Sequence, residues 1–306
     1  MSLLKLPSPI KKVDLTMGDG AVIRTRQHGN LDGLRLILAH GNGFATDAYF
    51  PFWRLLEDRY ELILYDQRNH GHNPLHDDTS HHDVPYFVSD LETIFQGIKT
   101  FYGPKPTAGL FHSISAITAV WHALSIGWHW DALILFDPPL VPSPQHPLHE
   151  IAKNFELMLS EWAKNRQSRF PDPKTLEMQF AKSRTLSRWV TGAHRLMAQS
   201  ILRKKKNSSD WVLCCPPERE SQIYKTNSEL NLCRQLVNLK GPLQVIASDP
   251  NDPKARAPGL VNQALHQEFG HRYEAVSGTT HMVQIEKPIE CENIVSRFLK
   301  EINFGE

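Results

Sequence analysis

The hydrophobic pattern alternates between two kinds of segment. Short, nearly continuous apolar runs stand at 34–39 (LRLILA), 60–65 (YELILY), 106–111 (PTAGLF), 131–136 (DALILF) and 242–247 (PLQVIA). Runs of that length with little polar alternation fit strands buried on both faces. Between them lie segments with helical spacing. Val88, Leu91, Ile94, Phe95 and Ile98 repeat at that spacing within 84–100, as on a helix with one apolar stripe. Further helices are expected at 45–56, 115–124, 259–269 and 288–302, and a further strand at 272–276. Ahead of this series, Gly18-Asp19-Gly20 offers a hairpin turn between strands at 12–16 and 21–27. Strand–helix alternation of this kind predicts an α/β architecture, a mostly parallel central sheet flanked by helices.

The rhythm breaks after Asp137. Pro138-Pro139 and a Pro/His-rich stretch at 142–149 read as a linker, and 148–227 is helix-rich without a buried-strand pattern. The expected organisation is a core in two parts, 1–140 and 236–306, with a helical cap over 141–235. No internal repeat or low-complexity tract interrupts it.

Composition narrows the function classes. The 306 residues hold 34 basic and 33 acidic side chains, a formal net charge of +1. That balance supplies no electrostatic footprint for nucleic acid or an anionic membrane. The basic run at 203–206 reads as a solvated loop. The four cysteines, Cys214, Cys215, Cys233 and Cys291, form neither a zinc-type pair nor a disulfide framework. The apolar run before Pro7 is too short for a secretory signal, and no stretch is apolar and long enough to span a bilayer. These features lead to the expectation of a soluble, cytoplasmic protein.

The candidate chemistry begins at 110–116, LFHSISA, where a strand runs into a helix. A serine on such a turn is pushed out at the C-terminal edge of the sheet, and the next amide lies at a helix N-terminus, where it can donate to an oxyanion. Ser113 holds that position. Ser115, two residues later, is small, as close strand–helix approach requires; Phe111, two residues before, stands where G-x-S-x-G has glycine. Ser115 is the alternative nucleophile, disfavoured by Ile117 two residues after it. Upstream, the strand at 34–39 ends in His40-Gly41-Asn42-Gly43, a turn able to aim an amide at the nucleophile. The oxyanion donors expected are the amides of Asn42 and Ile114.

The next strand ends in Asp66-Gln-Arg-Asn-His-Gly71. Taken with 40–43 and 111–115, this order resembles the α/β-hydrolase family, whose members carry an H-G-x-G turn, a D-x-R-x-x-G loop and then the nucleophile elbow. The resemblance covers roughly 20–145 and 235–305. It implies the α/β-hydrolase fold, structural roles for Asp66 and Arg68, and His281, after the strand at 272–276, as catalytic base. A serine hydroxyl is a poor nucleophile until a neighbouring imidazole takes its proton. The family's acid lies in the loop after the strand at 242–247, where Asp249 and Asp252 are both candidates. Asp137, at the end of the DALILF strand, is a third, on a placement used in a minority of such folds. The stretch 213–224 is similar to a C-P-P-E-x-E-x-x-x-Y segment of some bacterial relatives.

The activity implied is hydrolysis of an acyl, ester-type substrate, as in a carboxylesterase or lipase-like enzyme, with no cofactor and no metal. Other serine-triad reactions (carbon–carbon, thioester or lactone hydrolysis, cofactor-free peroxidation) and a non-catalytic ligand-binding protein of the same fold are the alternatives. The partner expected is a small apolar or ester-type substrate, with no nucleic acid and no membrane span. His70, His72, His76, His81 and His82, among Asp77, Asp78 and Asp83, read as a solvated polar loop. The seven tryptophans, Trp53, Trp121, Trp128, Trp130, Trp162, Trp189 and Trp211, read mostly as core. Trp162 and Trp189, with Phe155, Met158, Phe180 and Met197, are candidates to line a pocket under the cap.

Overall fold

The computed structural model describes residues 4–305 apart from 79, 184, 206, 207, 255 and 256. Met1–Leu3 and Lys206, which belong to the N-terminal and basic-run readings, lie outside it. The chain begins with β1 (Lys11–Thr16), β2 (Val22–Gly29) and β3 (Arg35–Ala39), then α1 (Phe50–Trp53), β4 (Glu61–Tyr65), α2 (Val84–Tyr102), β5 (Thr107–His112), α3 (Ile114–Ser125) and β6 (Ala132–Phe136). An inserted stretch holds α4 (His149–Asn165), β7 (Arg169–Phe170), α5 (Pro173–Lys182), α6 (Ala193–Ser200), β8 (Leu202–Lys204), β9 (Trp211–Leu213) and α7 (Pro217–Asn227). The core resumes with β10 (Leu243–Ser248), α8 (Ala257–Phe269), β11 (Arg272–Val276), α9 (Val283–Glu286) and α10 (Pro288–Glu301).

Among the described residues, eight strands form one sheet in the order β1-β2-β4-β3-β5-β6-β10-β11. The first two pairings, β1 with β2 and β2 with β4, are antiparallel; all the others are parallel. The two-residue period decides which face each side chain serves. Ile37, Ile63 and Leu133 pack with Leu91, Ile94 and Phe95 of α2 on one face. Leu36, Leu38, Leu62 and Leu64 pack with Val295, Phe298 and Leu299 of α10 on the other. Both faces are covered, which is why these strands read as unbroken apolar runs.

Two local expectations differ. Residues 45–56 form a 3₁₀ turn at Thr46–Tyr49 and a single helical turn, α1, because the N-terminal part is held by side chains rather than by a helical ladder. The amide and hydroxyl of Thr46 both donate to Asp66 Oδ1 at 2.8 Å. The insertion is not purely helical: β7, β9 and β8 make a small antiparallel sheet. Its strands have two or three residues, too few to establish a period.

Candidate active site

The site lies at the C-terminal ends of β3, β5, β6 and β10. Ser113 follows β5 with φ 56° and ψ −121°, an unfavourable backbone for a residue with a Cβ. Asp137 follows β6 at φ 43°. They are two of the four non-glycine residues with positive φ among those described, so backbone strain is concentrated here. Ser113 is held in place: its amide donates to Phe136 O at 2.9 Å, and its carbonyl accepts from the amides of Ala116 and Ile117 in α3.

The side chains of Ser113, His281 and Asp137 form one chain of hydrogen bonds. His281 Nε2 lies 2.9 Å from Ser113 Oγ, and Nδ1 lies 2.7 Å from Asp137 Oδ2. A carboxylate only accepts, so Nδ1 carries the hydrogen and Nε2 presents its lone pair to the serine hydroxyl. Asp137 is fully buried. Its carboxylate also accepts from the Ser248 amide at 3.0 Å and from Ser248 Oγ at 3.0 and 3.1 Å.

The acid beside His281 is therefore Asp137, not Asp249 or Asp252. Asp249, partly exposed, accepts from the Gly278 amide at 2.8 Å and the Asn251 amide at 2.9 Å. Asp252 is held by Arg188 Nη1 at 2.6 Å and by the Lys254 amide at 2.7 Å. Both brace loops around the site. Neighbouring strands explain the change: β6 and β10 pair with Phe136 opposite Ile246, so the strand ends carrying Asp137 and Ser248 emerge side by side. An aspartate on β6 reaches the place that the sequence reading gave to the loop after β10. The signal was present in the sequence, an aspartate closing a buried strand directly before Pro138-Pro139.

Phe111 is accommodated without displacing the elbow. Its ring is fully buried and meets Trp130 edge-on at 5.3 Å. It lies over Gly109, two residues back on the same face, where a Cβ would sit 2.4 Å from Phe111 Cε2. The small residue needed beside the elbow is thus supplied at 109. Gly109→Ala is expected to lower the unfolding free energy by about 1–3 kcal/mol through overpacking. In urea denaturation, Gly109→Ala should cost less in a Phe111→Ala background than in the unaltered protein. A Gly109→Ala loss unchanged in the Phe111→Ala background would contradict this seating of the ring. Ser115 is a brace: its Oγ donates to His112 O at 2.8 Å and accepts from His112 N at 2.9 Å.

The turn after β3 passes against the elbow. A Cβ at Gly41 would come 3.0 Å from Ser113 Cβ and 2.9 Å from His112 Nδ1, so only glycine fits there. The amides of Asn42 and Ile114 have no hydrogen-bond partner among the described residues. The Gly43 amide donates to His70 Nε2 at 3.1 Å.

One network that the sequence reading missed ties three loops together. His112 is fully buried, with Nε2 2.8 Å from the His281 carbonyl and Nδ1 2.7 Å from Tyr49 Oη. The carbonyl accepts only, so Nε2 donates and Tyr49 donates to Nδ1, while Tyr49 Oη accepts from the Gly41 amide at 3.2 Å. Burial keeps the His112 imidazole neutral, well below its ordinary pKa. On the other side, Thr280 donates its amide to Glu286 at 2.7 Å and its hydroxyl to the same carboxylate, fixing the segment that carries His281.

Asp66 and Arg68 have no contact with Ser113 or His281. Asp66 receives Thr46 and the His72 amide; Arg68 forms a two-pronged pair with Asp90 at 2.6 Å and reaches Asp19 at 2.6 Å. The histidine-rich segment is not wholly solvated. His70 and His82 are buried and stacked, and burial lowers the His70 pKa to about 3. Among the described residues, the cluster with metal-ligand spacing is Glu92, His122 and His129 on α2 and around the end of α3.

A cavity of about 620 Å³ opens over Ser113 and His281. Phe44, Phe155, Met158, Leu176, Phe180 and Met282 supply much of its apolar wall. Trp162 lines it as well, whereas Trp189 and Met197 are buried in the packing around it. No helix of the described residues is long and apolar enough to cross a membrane.

A hydrogen-bonded Ser–His–Asp chain at the strand ends of a mostly parallel sheet, under an inserted helical segment, defines the α/β-hydrolase class of fold. The chain belongs to the alpha/beta hydrolase family, whose model matches residues 36–293. It is similar in structure to E-2-(acetamidomethylene)succinate hydrolase, with a TM-score of 0.78 at 15% identity over 95% of this chain and 99% of that one. It is also similar to a bromoperoxidase from Bacillus anthracis (TM-score 0.72, 15% identity, 95% and 100% covered) and to a thermophilic esterase from Thermogutta terrifontis (0.69, 17%, 95% and 99%). No curated protein matches the sequence.

Proposed function

We propose that the protein is a serine hydrolase acting on a small carboxylic ester, with the inserted segment as a cap over the acyl pocket. The observation that carries this reading is the placement of His281 between Ser113 and Asp137, with hydrogen bonds of 2.9 and 2.7 Å. Ser113 Oγ attacks the ester carbonyl while His281 Nε2 takes its proton. Asp137 stabilises the imidazolium and holds its tautomer. The amides of Asn42 and Ile114 receive the negative oxygen of the tetrahedral intermediate. As that intermediate collapses, His281 returns the proton to the departing alcohol. A water then attacks the acyl-enzyme while His281 takes its proton, and His281 passes that proton to Ser113 Oγ as the acid leaves.

Asp137 accepts several hydrogen bonds as a carboxylate, and the lone pair on His281 Nε2 is already directed at the hydroxyl. The apolar cavity suits a medium-length acyl or alcohol arm. A panel of p-nitrophenyl esters of increasing acyl length tests the proposal. Hydrolysis with a maximum at short to medium chains is expected; no turnover of any ester by folded protein would refute it.

A further inference from the structure

The cavity wall formed by α4 and α7 carries polar groups for which acyl transfer at Ser113 has no use. Glu156, on α4, is 2% exposed yet lines the cavity. Its Oε2 accepts from Asn227 Nδ2 at 2.9 Å, and that same amide donates to Pro139 O at 3.0 Å. The carboxyl is thereby fixed to the segment that follows Asp137. Its Oε1 has no hydrogen-bond partner among the described residues, and neither has the hydroxyl of Tyr224, which lines the same cavity from α7. Nearby, Arg166 spends its charge on Glu220: its Nη1 lies 2.8 and 3.0 Å from the two carboxylate oxygens. Glu156 has no ion-pair partner among the described residues.

A buried carboxyl without a cation beside it favours its neutral form. Burial raises the Glu156 pKa to about 7, against the opposing pull of Asn227 and His281. Below that pH, with Oε2 occupied by an N–H donor, the proton resides on Oε1, and the group acts as a hydrogen-bond donor in an apolar site, as protonated aspartates do elsewhere. Two donors, one from α4 and one from α7, then face one cavity.

We propose that Glu156 and Tyr224 form a second recognition site, which grips a hydrogen-bond-accepting carbonyl oxygen on the arm of the ester. The substrate class is thereby an ester with a second, uncharged carbonyl group, such as an amide or ketone, in place of a plain fatty ester. This inference rests on the reading of Ser113 as nucleophile and His281 as base.

Binding tests it without turnover. Ser113→Ala protein is titrated near pH 6, about one unit below the Glu156 pKa, with three p-nitrophenyl esters of equal length. Their arms end in a dimethylamide, an isopropyl group or a dimethylammonium group. The dimethylamide ester should bind about tenfold tighter than the isopropyl ester, as one or two net hydrogen bonds provide. Adding Glu156→Leu should reduce that preference to about threefold, the share left to Tyr224. Glu156→Gln, which keeps a donor on the cavity side, should retain most of it, and Tyr224→Phe should reduce it to about threefold. Equal binding of the amide and isopropyl esters, tightest binding of the ammonium ester, or a preference that survives in the double variant Glu156→Leu/Tyr224→Phe would overturn the proposal. Cleavage of the isopropyl ester by the unaltered protein reports separately on the hydrolase reading, so the two can fail independently.

Discussion

Ser113→Ala is expected to reduce ester hydrolysis by about four to six orders of magnitude in kcat while leaving the fold in place. The bond-forming atom is removed, and no other group around the cavity replaces it. Ser115 Oγ, the serine nearest in sequence, is committed in both directions to the backbone of His112 and cannot turn toward His281 without breaking that brace. Ser115→Ala should therefore lower stability by about 1 kcal/mol through the lost hydrogen bonds but keep most of the turnover. Steady-state kinetics on a p-nitrophenyl ester, with urea denaturation as a folding control, check both variants. If Ser113→Ala kept more than about one part in a hundred of the rate, the nucleophile would have to be sought elsewhere.

Asp137→Asn has the second largest effect, an expected fall in kcat of about 10⁴. Asparagine is nearly the same size, so the packing against Ser248 and β10 survives. Its amide nitrogen, however, meets His281 Nδ1 with a donor. The ring then keeps its hydrogen on Nε2, facing Ser113, and can no longer accept the serine proton. The controls are Asp249→Asn and Asp252→Asn. Asp249 bonds the Gly278 amide and Asp252 pairs with Arg188; neither bonds His281, and changes there should cost no more than about a factor of three in kcat. A large loss in either control with little in Asp137→Asn would reverse the assignment of the acid.

The two outcomes bear on how much of the protein its sequence discloses. The sheet is legible because β3, β4, β5, β6 and β10 are buried on both faces and their runs have no other use. Ser113 stands out because it follows a strand at a sharp turn into a helix, and His281 because the order of segments resembles that of the α/β-hydrolase family. Asp137 is harder. The identity of the acid depends on which strand ends lie adjacent, and adjacency of β6 and β10 across more than a hundred residues of chain leaves no local pattern. Phe111 was a misleading mark: the motif wants a small residue two before the serine, and the structure supplies the space at Gly109, two residues earlier, through a ring folded along the strand. The elbow is intact beside Phe111: Ser113 has the strained φ of 56° and lies within hydrogen-bond reach of His281. The His112–Tyr49–Gly41 network had no sequence signature at all, because it joins three loops through ring nitrogens and a hydroxyl whose roles only geometry fixes. In the insertion, strands of two and three residues are below the length at which alternation can be read.

Covalent trapping tests the role of Ser113 most directly. Folded protein is treated with a fluorophosphonate, and the adduct is located by peptide mass mapping. One adduct per chain is expected, on Ser113, suppressed in Asp137→Asn and absent in Ser113→Ala. An adduct on Ser115 or another residue, or no adduct on folded protein, would contradict that role.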